Sequence, residues 1–295
     1  MTMNQKKDSH INILEEAAKH PFPDINKLRT SDEDFIVDLV GVGNLINKFL
    51  AVTASLVPDL SIAKLQQGVL LGHIVRMFKL YDSFLLLVSE SRSEIALLAL
   101  RALTETSITL KYLIYNINDD LCQKFIKSSL AYDKKLWDFI QNKIDGREPL
   151  SFENRMIESI KKTFADTKYN IDDINFKKDK AWHEDLLTLS CKVGLLDDYE
   201  TIYRTCSRAE HGSWYHLKFY HLVEGENGFE PELNNISPNP QLIIAANLVC
   251  LGAALDYLKY VTPNEKTFLV LIQNLIEWHI KLSNKRDEFL NRSDT

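Results

Sequence analysis

Glycine and proline are scarce in this chain, with 10 and 8 among 295 residues. Long stretches run without a backbone punctuator, which disfavours many short strands joined by turns and favours helices. Cysteine is scarce too, and the four present (Cys122, Cys191, Cys206, Cys250) are far apart, with no Cys-x-x-Cys pair. That spacing excludes a disulfide scaffold and a zinc ribbon and fits a reducing cytosol. A basic excess is missing: the formal net charge is −6, whereas proteins that hold nucleic acid through phosphate contacts carry surplus Lys and Arg. Stable, sequence-blind binding to nucleic acid is disfavoured, but a brief encounter with RNA through a small local basic patch is not. No Gly-rich phosphate loop, Gly-x-Ser-x-Gly elbow or His-Glu-x-x-His motif occurs, and the sequence implies no cofactor.

Long uninterrupted apolar runs are also lacking. The two most apolar segments, 69–88 and 242–261, are broken by His73, Arg76, Lys79 and Asp82, and by Asn247, Asp256 and Lys259. Neither offers the roughly 18 to 20 consecutive apolar residues of a membrane span, so both are expected as buried helices. Residues 1–10 are polar and lack the apolar core of a signal peptide. The expected setting is cytoplasmic, with no membrane partner.

What is present is an ordinary globular balance, 45% hydrophobic and 26% charged, with repeated helix starts and stops. Ser31-Asp32-Glu33-Asp34 precedes the apolar positions Phe35, Ile36, Leu39, Val40 and Leu45, as a capping box does. Helical patterns cover 60–90 and 91–118. Asn118-Asp119 caps a helix ending at Asp145-Gly146, Ser151 begins a shorter one, and 170–180 is polar loop. A helix over 182–193 is closed by Gly194. Asp197-Asp198 caps the next, which runs to about His211 before Gly212. Residues 224–240 form the one obvious long loop. Two helices follow, the last opened by Thr262-Pro263-Asn264-Glu265. The pattern predicts an all-α fold, a helical bundle with a four-helix-type core and additional flanking helices. A single domain is expected over 31–285, with a loosely attached polar extension at 1–30 and a polar tail at 286–295. Helices near 65–90, 92–117 and 197–211 should be central, with 241–261 and 263–285 covering one side.

Two helices carry candidate chemistry. On the helix 93–115, Arg101 and Glu105 are four residues apart, where they can pair, on a stripe that also holds Leu97, Leu98, Ile108 and Tyr112. The pair is either a structural bridge between helices or part of a site lining. On 199–212, Tyr199, Ile202, Cys206 and Ala209 form the apolar side. Arg204, Arg208 and His211 fall within about 60° of one another on the other side, with Ser207 and Tyr203 at its border. Guanidiniums suit phosphate and histidine titrates near neutrality, although the helix dipole alone favours basic residues at such a terminus. His211, His216 and His221 recur every five residues, about 140° apart on a helix, which is poor geometry for metal ligands; no metal is expected. Trp214, Tyr215, Phe219 and Tyr220 suit a core or an interface better than base stacking.

Arg101-x3-Glu105, Tyr112, Trp182, Gly194, Tyr203, Ser207 and His211-Gly212-Ser213 together resemble a bacterial family of helical proteins, domain of unknown function 5677, over about 75–225. More distantly, Arg204-x6-His211 is similar to the Arg-x(4–6)-His motif of the HEPN superfamily, although Thr205 replaces the commoner asparagine after the arginine. That superfamily includes toxins and anti-phage effectors, many of them metal-independent ribonucleases with an active site formed across a dimer. The resemblance implies RNA phosphodiester cleavage in phage defence or beside an antitoxin, by a homodimer, with His211 as acid or base. Arg204 and Arg208 would stabilise the phosphate charge, Glu105 would orient an arginine, and Arg101, Ser207 and Tyr203 would complete the substrate pocket. The rival expectation is a non-catalytic module that binds a partner protein or a small anion at the Arg101/Glu105/Arg208/His211 surface; a helical enzyme of other chemistry is a third.

Overall fold

Side-chain caps open two helices where the sequence placed them, at Ser31 and Asn118, whereas Asp197-Asp198 lie inside a short helix that Leu195 precedes without a side-chain cap. The computed structural model describes residues 22–56, 64–261 and 266–293 and is 77% helical. Ser31 accepts from the Asp34 amide and opens α1 (Asp32–Ser55). The chain continues through α2 (Lys64–Ser89), α3 (Ser93–Asn116) and α4 (Asp119–Ile144), the last capped by the Asn118 side chain. Next come α5 (Ser151–Ala165), a 3-10 turn (Ile171–Asp173), α6 (Phe176–Asp179) and α7 (Leu186–Lys192). Then α8 (Leu196–Asp198), a π-helical turn (Tyr199–Tyr203) and α9 (Arg204–Glu210) run into one another. They are followed by α10 (Trp214–His221), the hairpin β1 (Leu222–Gly225) and β2 (Gly228–Pro231), α11 (Pro240–Val261) and α12 (Lys266–Ser293). The fold class is the all-α helical bundle expected.

Two elements differ from the expectation in extent or kind. The helix over 182–193 is only α7, because 182–185 are not helical. The long loop at 224–240 begins as an antiparallel hairpin in which Gly225 faces Gly228 across Glu226-Asn227. Gly228, at φ +131°, takes a backbone conformation there that side-chain-bearing residues rarely adopt. The cap at Thr262-Pro263-Asn264-Glu265 lies outside the described residues.

The described residues divide into two compact units, one within 1–115 and 186–295, the other 116–185. In the first unit α1 packs on α2 and α11, and α11 packs on α2 and α12. So α11, expected at one side, is central, while the 196–210 segment contributes only Cys206 to the buried set. The reason is apolar content. By length and composition α1 and α11 are the two described helices apolar enough to cross a membrane, and over half of each apolar window is buried in the bundle.

A polar network sits within this bundle. The Tyr81 hydroxyl donates to Asn247 Oδ1, and Asn247 Nδ2 donates to His279 Nε2 (2.8 Å) and to the Leu39 carbonyl (3.3 Å). His279 Nδ1 then donates to the Leu275 carbonyl at 2.7 Å. Burial pushes the His279 pKa down to about 4, so the ring is neutral with its proton on Nδ1. Gly43 lets α1 come this close, since a Cβ there would lie 2.6 Å from Leu85 Cδ2 and 2.9 Å from the Tyr81 oxygen. The segment before α1 is also tied down. Buried Arg29 pairs with Asp38 at 2.8 Å, and Trp278 Nε1 donates to the Pro23 carbonyl. Helix α12 runs past residue 285, and Arg286 pairs with Asp32.

The second unit has its own core of Leu130, Ala131 and Ile140 from α4, Ile157, Ile160 and Phe164 from α5, and Ile174. Arg147 and the Leu150 amide both bond Glu153 and hold its carboxyl at about 2.

Candidate functional site

Helix α3 and the segment 196–221 meet in the first unit, and two polar clusters lie there. The segment begins irregularly: the Arg204 amide bonds the Tyr199 carbonyl five residues back. Such π turns inside helices are frequent at functional sites. The turn stacks Tyr199 on Tyr203 with ring centroids 5.1 Å apart.

The first cluster is organised by Arg101 of α3. Its Nη2 donates to the Tyr203 hydroxyl at 2.8 Å and pairs with Glu210 Oε2 at 3.0 Å, while Nε donates to Ser207 Oγ at 3.1 Å. The guanidinium also lies over the Tyr203 ring, 4.7 Å from its centroid. Ser207 in turn donates to the Tyr203 carbonyl at 2.8 Å. Burial raises the Tyr203 pKa; Arg101 opposes the rise, and Glu105, Tyr199 and Glu210 add to it. Glu105 is therefore an electrostatic neighbour of Tyr203, but the carboxylate paired with Arg101 is Glu210. Crossing to the neighbouring helix gives the guanidinium two hydroxyls and a carboxylate, where the i+4 pairing would give a carboxylate alone.

His211 follows as the C-terminal cap of α9, and Gly212 beyond it has φ +54°, a left-handed turn that glycine adopts without a Cβ clash. The His211 side chain is 75% exposed and its Nε2 is 3.7 Å from the same Glu210 oxygen atom that pairs with Arg101. Arg204 is 63% exposed and bonded to Glu200 at 2.7 Å one turn back. Arg208 is exposed. The structure thus joins Arg101, Tyr203 and Ser207 directly and His211 through Glu210, and leaves Arg204 on a separate ion pair. Glu210 escaped the sequence reading because no local spacing connects it with Arg101.

The opposite side of this helical segment lines a cleft of about 360 Å³ against α11, with Asp198, Thr201, Thr205 and Cys206 on one wall and Gln241 and Val249 on the other. Burial pushes the Cys206 thiol up to about 12, so it is no nucleophile at neutral pH.

The second cluster joins Glu94, at the start of α3, to two histidines of α10. His221 Nε2 lies 2.9 Å and His216 Nδ1 3.6 Å from Glu94 Oε1. One ligand atom from each of the three can be chosen so that all lie within 4.8 Å of one another. His216 is 4% exposed, and neither ring nitrogen has a hydrogen-bond partner. The five-residue spacing had argued against such a meeting. It occurs because Glu94, from another helix, supplies the point on which both rings converge; His211 takes no part. Beside the cluster, Trp214, Tyr215, Phe219 and Phe229 are exposed, and the Trp214 and Phe229 rings meet edge to face at 5.5 Å.

Fold and site together define a helical-bundle protein whose polar clusters gather where α3 meets the segment 196–221. The chain belongs to a family of unknown function, DUF5677, whose model matches residues 67–229, more than half of its length. That match spans every residue of both clusters and stops short of α11 and α12. No curated protein and no solved structure matches the chain.

Proposed function

We propose that this protein is a HEPN-like, metal-independent RNA-cleaving effector in which His211 is the acid–base group. The observation that carries this reading is the chain His211–Glu210–Arg101: an exposed imidazole beside a carboxylate, which is itself fixed by a guanidinium bonded to Tyr203 and Ser207. A carboxylate beside an imidazole helps hold the ring in one orientation, as general acid–base work requires. His211 takes the proton of a ribose 2′-hydroxyl, whose oxygen attacks the adjacent phosphorus. The bond to the 5′-oxygen breaks, and that oxygen leaves with a proton. Arg208 and Arg204, exposed on the same short helix, offer charge to the phosphate. A second copy would bring two such faces together and concentrate positive potential within an acidic protein.

The test is overproduction in cells of the wild type and of His211→Ala, with growth and total RNA followed in parallel. Wild type arrests growth with fragmented RNA, and His211→Ala, folded, loses cleavage by about 10²–10⁴-fold. Intact RNA with both proteins sinks the reading.

A second reading is favoured by the exposed aromatic surface of Trp214, Tyr215, Phe219 and Phe229: a non-catalytic module that binds another protein. Aromatic residues grouped on a surface characterise interface centres.

A further inference from the structure

We propose that Glu94, His216 and His221 bind a divalent transition-metal ion of the zinc type, leaving at least one coordination position for water or a substrate oxygen. The site is separate from the His211–Glu210–Arg101 chain, shares no residue with it, and stands whether or not that chain cleaves RNA.

His216 is the starting observation. A buried imidazole whose two nitrogens both lack a hydrogen-bond partner is a desolvated polar group, and such groups in folded proteins ordinarily have one. Its Nδ1 points at Glu94 Oε1 from 3.6 Å, too far for a hydrogen bond but suited to two atoms that share an ion. His221 Nε2 approaches the same oxygen to 2.9 Å. With zinc bonds near 2.0–2.1 Å, ligand atoms of a tetrahedral site lie about 3.3 Å apart, and the two measured separations bracket that value. The histidine nitrogens need only small side-chain rotations to close around an ion, since the three donor atoms already lie within 4.8 Å.

The donor set selects the metal. Two imidazoles and one carboxylate suit zinc and its first-row neighbours, whereas magnesium and calcium take oxygen ligands. Three protein ligands make an open site rather than a closed structural one. The exposed edge is in place: His221 is exposed and Glu94 partly so, which gives ion and water a path, while His216 closes the inner side. The His216 ring is packed against Tyr220, centroids 4.6 Å apart, which narrows the rotations open to it.

The test uses the full chain without an affinity tag, stripped by chelator and titrated with Zn²⁺ by calorimetry and with Co²⁺ by visible absorption. One ion should bind per chain, and Co²⁺ should give the intense d–d bands of low coordination number. Glu94→Gln and His221→Asn should each weaken binding at least about 10-fold, the lower end of the loss seen when even an outer-sphere partner is removed. Both sites of substitution have exposed surface, so these variants should keep the wild-type circular dichroism, whereas His216→Ala risks the fold. His211→Asn should bind the ion as the wild type does, which separates this site from the RNA-cleaving reading. Absence of Zn²⁺ binding, or binding undiminished in both Glu94→Gln and His221→Asn, overturns the proposal.

Discussion

The polar network inside the bundle and the cluster at the start of α3 each use histidine away from water, and they resolve its cost in opposite ways. Around Asn247 the groups are closed on one another: the Tyr81 hydroxyl, both donors of Asn247 and both nitrogens of His279 are bonded within the protein. Around Glu94 the histidine is left open, with His216 buried and both its nitrogens unbonded. A satisfied network in a low-dielectric interior rigidifies and specifies packing. An unsatisfied one is a standing cost that needs another justification. The first pattern specifies packing; the second, with Glu94 and His221 beside it, is the one on which the metal site is proposed.

Breaking the closed network gives the largest expected effect. Asn247→Leu keeps the branched outline of the side chain and strands the Tyr81 hydroxyl and His279 Nε2 together. The expected loss is about 3–5 kcal/mol of unfolding free energy, read by urea denaturation. A loss below about 1 kcal/mol would mean that the network is not a stability element. His279 gives the next effect. With its pKa lowered from 6.5 to about 4, the unfolded chain binds a proton there that the native state refuses. Its contribution is therefore complete above pH 6.5 and declines as pH falls toward 4, by about 3 kcal/mol in total. Denaturation midpoints measured across that window in chelator should fall with pH, and His279→Gln should flatten the fall.

What was legible in the sequence follows the range of the forces involved. Caps act over three residues, so Ser31 and Asn118 marked the starts of α1 and α4 closely. Gly194 and Gly212 marked real left-handed turns, at φ +69° and +54°. The site was only partly legible. Tyr203, Ser207 and Arg101 stand out in the sequence, yet the Arg101–Ser207 bond joins residues 106 apart, and spacing along one helix points instead to Glu105. The pairing of Glu94 with His221 spans 127 residues, and on α10 alone the two histidines diverge. Periodicity ranked α2 and α3 above α11 because it cannot weigh how an apolar helix is shared among neighbours. The π turn has no periodic signature at all.

The smallest expected stability effects sharpen the comparison within the Arg101 cluster itself. Arg101 is 23% exposed and holds two hydroxyls and Glu210, so Arg101→Ala should cost about 1–2 kcal/mol, more than a surface ion pair. Arg204 shares a largely exposed pair with Glu200, and Arg204→Ala should stay within about 0.5 kcal/mol of the wild type. Because stability then separates the two arginines, activity can be read cleanly. If RNA cleavage falls in Arg204→Ala while its denaturation midpoint holds, Arg204 leaves Glu200 to meet the phosphate. If cleavage falls in Arg101→Ala alone, the buttressed guanidinium serves by fixing Glu210 and, through it, His211. A conservative Arg101→Lys then distinguishes charge from geometry, because an ammonium can pair with Glu210 but cannot reproduce the forked contacts to Tyr203 and Ser207.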